Sequence, residues 1–245
     1  MRRRSVLAGL AAFGTTGCSR IGDSAAFSAL VETAQGWHRA AHRALSPGIA
    51  LAREYEAADL SPFFRGNGTI EIASPAYRAH LASGFADWRL TVGGLVARPL
   101  SLSMAQIRAL PQRTQITRHD CVEGWSAIGQ WTGPQLGPLL EFAGLLPGAR
   151  YIVFHCADVL YGSRYYESCG LDDAFHPQTI LAHQLNGQAL PERNGAPLRL
   201  RIERQLGYKH AKYLTGIEAV ASLDGHYGGQ GGYWEDRGYQ WYAGI

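Results

Sequence analysis

The stretch that decides the fold lies near the middle of the chain and reads Arg118-His119-Asp120-Cys121-Val122-Glu123-Gly124-Trp125-Ser126. Residues 114–119 are predicted to form a β-strand that runs straight into Cys121. The cysteine is then either a small buried hydrophobe or a metal ligand, because a thiolate that coordinates a metal is protected from oxidation. The compartment in which the protein works helps to decide between the two.

The N-terminus predicts export. A basic cap precedes a short, weakly apolar run that ends at Thr15-Thr16-Gly17-Cys18, and this run is shorter than the roughly 20 apolar residues that span a bilayer. Arg3-Arg4-Ser5-Val6-Leu7 resembles a twin-arginine (Tat) signal, the route for proteins that fold before they cross the membrane. We expect residues 1–18 to be this signal and the protein to be periplasmic or on the outer face of the cytoplasmic membrane. The residues before Cys18 also resemble a degenerate lipobox, so a lipoprotein anchored at Cys18 is an open alternative.

The net charge of +3 belongs to the signal. Without residues 1–17 the chain has 20 basic and 20 acidic residues, and no basic patch interleaved with aromatics remains to favour nucleic acid or a membrane surface. The remainder is long enough for one main domain.

Three cysteines remain after Cys18 in a compartment that oxidises thiols. Cys156 and Cys169 flank a predicted hairpin, residues 152–157 and 161–168, and a disulfide between them is one alternative. Cys121 would then be the unpaired thiol.

The pattern of short strands and short helices predicts an α+β fold. An amphipathic helix comes first, with apolar residues at helical spacing, namely Phe27, Leu30, Val31, Ala34, Trp37, Ala41 and Leu45. A connector over residues 46–66 completes an N-terminal region, 19–66, and the main domain spans 67–245. Its predicted strands are 88–92, 95–98, 114–119, 151–156, 198–203 and 216–222, and its predicted helices are 103–110 and 135–145.

The C-terminal strap, residues 225–242, is rich in glycine and aromatics. Disordered tails are poor in aromatics, so the strap is predicted to pack against the body. It is either an ordinary strap that buries Trp234 and Trp241, or a segment beside the site that it closes.

Both lysines of the chain lie in Gly207-Tyr208-Lys209-His210-Ala211-Lys212, whereas arginine carries every other fixed positive charge. A lysine ammonium is a compact point charge that suits an anion approached from one direction, and a phosphate is the natural candidate. Accidental clustering is the alternative.

Two regions together resemble the sulfite oxidase superfamily of molybdenum enzymes. The first is residues 118–126 followed by Trp131-Thr132-Gly133; the second is 185–191 with 194–200 and then 207–212. The resemblance covers residues 67–222 and is strongest to the bacterial exported branch that includes methionine-sulfoxide reductase catalytic subunits.

The resemblance implies a molybdopterin-binding domain of mixed β-sheets with short helices, and a molybdenum-molybdopterin cofactor (Mo-MPT) whose metal is bound by Cys121. It implies cofactor contacts from Asn67, Ile70, Glu71, Cys156, Asn194, Arg199, His210, Ala211 and Lys212. The aliphatic part of the Lys209 side chain is predicted to be partly buried. Cys156 stands where the family has a threonine near the pterin, which weakens the disulfide alternative, and the family's aromatics near Asn67 are missing.

The predicted function is oxygen-atom transfer on a small polar substrate, as S-oxide or N-oxide reduction or as sulfite-like oxidation. Reduction is favoured because few cations are available for an oxyanion, and Arg118 either meets the substrate or pairs with Asp120. Electrons would pass through a separate partner, a cytochrome or a membrane haem- or quinone-linked subunit, because no Cys-x-x-Cys-His haem motif occurs. Two alternatives are a non-enzymatic binding lipoprotein and a hydrolase that uses Cys121 with His119.

Overall fold

The computed structural model describes residues 50–245 continuously, with isolated positions between 24 and 45. The chain divides into two compact units, Met1–Pro47 and Gly48–Ile245. The signal, Cys18, Leu30 and Val31 lie outside the described residues. No helix in the described part of the chain is long and apolar enough to cross a membrane.

The first unit contains the predicted helix at the positions that are described. Phe27, Ala34, Trp37, Ala41 and Leu45 are helical, and the Ser24 hydroxyl accepts a hydrogen bond from the Phe27 N–H at 3.2 Å. A hydroxyl in this position satisfies one of the free N–H groups at a helix start.

The second unit is built from short strands and helices. The strands are β1 (Arg89–Gly94), β2 (Leu100–Ser103), β3 (Gln112–Cys121), β4 (Trp125–Pro134), β5 (Tyr151–Leu160), β6 (Ser163–Gly170), β7 (Ile180–Ala182), β8 (Gln184–Leu185), β9 (Gln188–Ala189), β10 (Arg199–Arg201) and β11 (Leu214–Val220). The helices are α1 (Pro75–Ala82), α2 (Met104–Ala109), α3 (Leu136–Ala143) and α4 (Leu171–Ala174), and 3-10 turns occur at Ala57–Asp59, Glu192–Asn194, Gly207–Lys209 and Glu235–Arg237.

Three sheets form the framework. The largest has the order β2-β1-β11-β5-β6, in which β1 and β11 are parallel and the other pairs are antiparallel. A second sheet has the order β3-β4-β8-β9, and β7 pairs with β10. The main apolar core lies on the first sheet, and a smaller core that includes Phe64 and Trp131 lies beside β4.

The hairpin of β3 and β4 places Cys121 at its tip. Cys121 pairs with Trp125, and Gly124 closes the turn with a φ of 85° and an N–H bond of 3.0 Å to the Cys121 carbonyl. This left-handed conformation suits glycine because it has no Cβ.

Most predicted strands and helices are confirmed, and one predicted strand is wrong. Residues 95–98 are not a strand: Val96 forms only an isolated bridge with Leu145, and the second strand is β2. The prediction also missed β4. The described part of the predicted connector lies along the second sheet, where the Tyr55 N–H bonds to the Ile116 carbonyl at 2.9 Å.

The alternative of a disulfide between Cys156 and Cys169 is wrong. Both thiols are free and buried. In the hairpin of β5 and β6, Cys169 pairs with Ile152, so Cys156 lies four residues further along its strand. At about 3.3 Å per residue, that offset is far too long for a disulfide.

Candidate active site

A cleft of about 320 Å³ opens at the tip of the β3–β4 hairpin. Five separate segments line it: Asn67, Gly68 and Thr69; Cys121, Val122 and Glu123; Asp158, Leu160, Tyr161 and Tyr165; Gly207, Tyr208, His210 and Lys212; and, from the strap, Trp234 and Tyr239. Of the predicted site residues, the fold therefore brings Asn67, Cys121, His210 and Lys212 to one cleft.

Cys121 reaches the cleft because of the alternation along β3. Thr117 and His119 are buried, whereas Arg118 is exposed, and alternate residues of a strand share a face. Burial raises the pKa of the Cys121 thiol. The thiol is thus half-buried at the wall of the cleft, where a soft metal ion is the partner that would hold it as thiolate.

Lys212 also lines the cleft and holds the loop that contains Asn67. Its ammonium donates to the carbonyls of Asn67 at 2.5 Å, of Thr69, and of Arg193 at 3.2 Å. Burial, followed by the nearby Arg199 cation, lowers the pKa of Lys212 to about 7. Lys212 therefore places a cation at the cleft and also positions Asn67.

His210 presents an acceptor to the cleft region. Its Nε2 lies 3.0 Å from the Gln205 carbonyl, to which it donates, so Nδ1 is left as an acceptor. Among the described residues, Nδ1 has no hydrogen-bond partner, and neither has Asn67 Oδ1. Burial lowers the pKa of His210 well below its ordinary value, so the ring is neutral.

Gly207 allows the lysine-containing turn to approach β3. A Cβ at this position would lie 2.6 Å from His119 Nε2 and 3.0 Å from the Asp120 carbonyl. Only glycine fits such a close approach without moving the backbone.

Arg199, Asn194 and Ala211 lie behind the cleft rather than at its surface. Arg199 is completely buried and donates to the carbonyls of Asn194 at 3.0 Å and His210 at 3.3 Å. Its Nε has no partner in residues 50–245, and burial lowers the pKa of Arg199 to about 9. The Asn194 amide donates to the Arg65 carbonyl at 3.2 Å.

Four further predicted site residues do not line the cleft, namely Arg118, Ile70, Glu71 and Cys156. Arg118 lies on the opposite face of β3 from Cys121 and pairs with Asp120 at 3.0 Å. Ile70 is 54% exposed, and Glu71 pairs with Arg78 at 3.1 Å on the surface. Cys156 is fully buried in the main core and does not line the cleft.

Other residues at the cleft were missed as site residues. Asp158 follows Cys156 by two positions on β5, is 3% exposed, and its Oδ1 has no partner in the described part of the chain. Burial raises the pKa of Asp158 to about 6. Tyr208 lies inside the lysine motif, and Trp234 and Tyr239 lie in the strap; their proximity to Cys121 depends on tertiary contacts.

Lys209 is not a cleft residue and is more deeply buried than predicted. Its ammonium pairs with Glu167 at 3.0 Å and with Glu235 of the strap. All three side chains are 1% exposed. Lys209 thus connects the lysine motif, β6 and the strap.

The mixed sheets bring the Cys121 thiol and the cationic turn of residues 207–212 to the same cleft. A thiol and a cation at one cleft suit a redox cofactor that has sulfur and phosphate groups. Residues 78–227 match the family described as oxidoreductase molybdopterin binding domain. Because this match covers more than half of the chain, the chain belongs to that family of molybdopterin oxidoreductases. The predictions of the fold class, the superfamily and the cofactor are confirmed.

The chain is similar to two curated relatives. It is 43% identical over 159 residues to the putative protein-methionine-sulfoxide reductase subunit YedZ1 of Azospira oryzae, covering 65% of this chain and 56% of that protein. It is 36% identical over 147 residues to the protein-methionine-sulfoxide reductase catalytic subunit MsrP of Xanthomonas axonopodis pv. citri, covering 56% and 46%. The chain therefore spans about half the length of the curated relatives it matches.

A solved structure shows a related fold. The sulfane dehydrogenase SoxCD of Paracoccus pantotrophus superposes with a TM-score of 0.52 at 22% identity, over 56% of this chain and 39% of that chain. At this identity the similarity concerns the fold alone.

The residues present fit a molybdopterin. The unpartnered acceptors Asn67 Oδ1 and His210 Nδ1 suit N–H donors of a pterin ring, and the unpartnered Arg199 Nε is a donor in the same region. Lys212 supplies a positive charge for a phosphate. Cys121 supplies the soft sulfur donor that molybdenum accepts.

Proposed function

We propose that this protein is an exported molybdopterin oxidoreductase that reduces S-oxides, with Cys121 as the protein ligand of molybdenum. One observation supports this most directly: Cys121 and the His210–Lys212 turn, which are far apart in the sequence, line the same cleft. When bound, the cofactor supplies two-electron oxygen-atom transfer. Asn67, His210 and Lys212 would hold it at the cleft, and Asn194, Arg199 and Ala211 would support them from behind.

The charges around the cleft favour a neutral S-oxide over sulfite. Its described lining includes the carboxyl groups of Glu123 and Asp158, and the Lys212 N–H groups are occupied by carbonyls. Arg118 lies on the other face of β3. A sulfite anion would be weakly attracted, whereas a neutral S–O group needs only hydrogen-bond donors. The names of the two relatives support the same substrate class.

Asp158 is suited to supply a proton. Reduction of an S-oxide to a thioether consumes two electrons and two protons and releases the oxygen as water. Burial raises the pKa of Asp158 to about 6, so its carboxyl retains a proton in mildly acidic solution and can donate it within the cleft.

The electrons would come from a separate redox protein, a cytochrome or a membrane haem- or quinone-linked subunit. Both relatives are named as subunits of a reductase, which supports a partner. We further propose that the twin-arginine signal exports the loaded protein to the periplasm or the outer face of the cytoplasmic membrane, where a lipid at Cys18 would anchor it.

Elemental analysis of the exported protein tests this function. Wild type, Cys121→Ala and the control Cys169→Ala, which removes a thiol away from the cleft, are purified from cells that load another molybdoenzyme. We expect about one molybdenum per chain in wild type and in the control, and loss of the metal in Cys121→Ala. Sulfoxide-dependent oxidation of a reduced viologen dye should follow the metal content. A folded, metal-free wild type would overturn the proposal.

The two alternatives are less well supported. Membership of an oxidoreductase family and the retained Cys121, Arg199 and Lys212 favour an enzyme over a binding lipoprotein. A cysteine hydrolase needs a lowered thiol pKa, but burial raises the pKa of Cys121. His119 is also held by Arg201, whose guanidinium donates to Nδ1 at 2.9 Å.

A further inference from the structure

The strap forms one wall of the cleft, although most of it lies beyond the residues that match the family. The family match ends at residue 227, whereas Trp234 and Tyr239 line the cleft. Their rings are stacked, with centroids 5.1 Å apart and an interplanar angle of 28°. Tyr208 contacts Tyr239 edge to face at 5.3 Å. An aromatic wall built mostly from residues outside the family match therefore lines the cleft of this chain.

Hydrogen bonds fix the wall in place. The Tyr239 N–H bonds to the Trp234 carbonyl at 3.0 Å, and the Tyr208 hydroxyl donates to the Gln240 carbonyl at 2.5 Å. Next to Trp234, Glu235 is buried in the ion pair with Lys209. A surface fixed in this way loses little entropy when a ligand binds to it.

Close packing also limits movement of the strap. A Cβ on Gly232 would lie 1.9 Å from Glu167 Oε1 and 2.0 Å from Glu235 Oε2. The strap thus lies directly on the buried ion cluster and has one tightly packed position.

The cleft combines this wall with other apolar side chains near Cys121. Val122, next to Cys121, is 44% exposed, and Tyr161 is 83% exposed; both line the cleft. Aromatic faces favour apolar groups, and thioether sulfur also makes favourable contacts with aromatic rings. A minimal, strongly hydrated substrate would gain little from such surfaces.

We propose that Trp234 and Tyr239 are specificity-determining residues that pack against the substituents on the sulfur of an S-oxide, selecting substrates with aryl or extended alkyl groups. This inference rests on the proposed function. The pair binds and orients the substrate through its apolar part, while the reacting S–O group lies toward Cys121. The residues take no part in electron or proton transfer.

Steady-state kinetics of the loaded enzyme test the proposal, with methyl phenyl sulfoxide and dimethyl sulfoxide as substrates. In Trp234→Leu we expect KM for the phenyl substrate to rise about 10-fold or more, with kcat within about twofold. The KM for dimethyl sulfoxide should stay within about twofold. Tyr239→Leu, at a 40% exposed position, should act in the same direction and guards against misfolding of the first variant.

Trp241→Leu is the matched control because Trp241 belongs to the same strap but lies outside the cleft lining. Its ring contacts Tyr151 at 5.5 Å, and its indole donates to Ser168. This variant should keep the wild-type preference. Equal changes for both substrates in Trp234→Leu, or a loss of preference in Trp241→Leu, would overturn the proposal.

A binding measurement distinguishes failure of the specificity proposal from failure of the proposed function. Calorimetric titration of each molybdenum-loaded protein with methyl phenyl sulfide needs no turnover, and we expect the Kd to rise about 10-fold in Trp234→Leu. An unchanged Kd would overturn the specificity wall even if sulfoxides are reduced. Wild type that binds the thioether but reduces neither sulfoxide would instead overturn the proposed function.

Discussion

At the scale of single residues, Lys209 and Lys212 have different roles although they lie three positions apart in the sequence. Lys212 lines the cleft and holds the Asn67 loop. Lys209 is buried between Glu167 and Glu235. Both use the compact ammonium, in one case to bind several carbonyls and in the other to bind two carboxyl groups. The lysine pair therefore reflects one cofactor-side role and one structural role.

Asp158 should make the stability of the protein depend on pH. Its pKa is about 6 in the native state against an ordinary value of 3.8, so the native state holds this proton more tightly than the unfolded chain. The free energy of unfolding should therefore fall by ~2 kcal/mol as pH rises from about 4 to 6. This contribution should be absent in Asp158→Asn, so that the fall is smaller by that amount, as measured by urea denaturation at each pH.

The ionisable groups around Asp158 determine the pH range over which the unfolding measurement reports on Asp158. Lys212 and Arg164 are the nearby cations, and Cys156 is a nearby thiol. Lys212 has a pKa of about 7, so its own effect appears above pH 7, where stability should rise with pH. Asp224→Asn, at an exposed position, should keep the wild-type profile; the same fall in Asp158→Asn and wild type would contradict the assignment.

At the scale of elements, the strap is fastened by charge as well as by aromatic packing. Burial and the Glu235 carboxylate raise the pKa of Glu167 well above its ordinary value. Two carboxyl groups can share this site because the Lys209 ammonium lies against both. The lysine motif, β6 and the strap are consequently stabilised together.

Replacement of Lys209 by Met should weaken this fastening. The change leaves Glu167 and Glu235 side by side without a cation, and loss of one partner from a buried ion pair costs about 3–5 kcal/mol. We expect a loss of this order in the free energy of unfolding, measured with urea at pH 7. The triple variant Lys209→Met, Glu167→Gln, Glu235→Gln should recover much of it, because no buried charge remains. Equal stability of the single and triple variants would show that the ion cluster does not determine the loss.

At the scale of the whole molecule, the cleft exists only after folding, because five separate segments line it. The cofactor would therefore bind a folded or nearly folded chain, which agrees with the proposed export of a folded protein. On this proposal, the twin-arginine signal exports a chain that already contains its cofactor.

Export should depend on Arg3 and Arg4 but cofactor binding should not. We expect the Arg3→Lys, Arg4→Lys variant to remain inside the cell with molybdenum bound, because the export machinery reads the arginine pair and the described residues that line the cleft are unchanged. Cell fractionation and elemental analysis measure both properties. Arg2→Lys, next to the pair, should be exported like wild type. Export of the double variant at the wild-type level would contradict the twin-arginine route.

Sequence reasoning succeeded where the evidence was local or recurred as a motif. The strand that runs into Cys121 and the α+β class follow from residue patterns, and the cofactor class follows from two motifs with a family resemblance. It left alternatives open where the position of a side chain depended on its face. The sequence left Arg118 between the substrate and Asp120, whereas the structure pairs it with Asp120 on the face of β3 opposite Cys121.

The sequence by itself determined the fold class, the cofactor class and the position of Cys121 at a strand end, because local periodicity and motif spacing are properties of the chain. Only the tertiary structure decided that Asp158 is a cleft carboxyl, that Lys209 is buried between two glutamates, and that the strap lines the cleft. The physical reason is that burial and charge pairing arise between segments that are remote in sequence. Their strength depends on the solvent that the fold excludes.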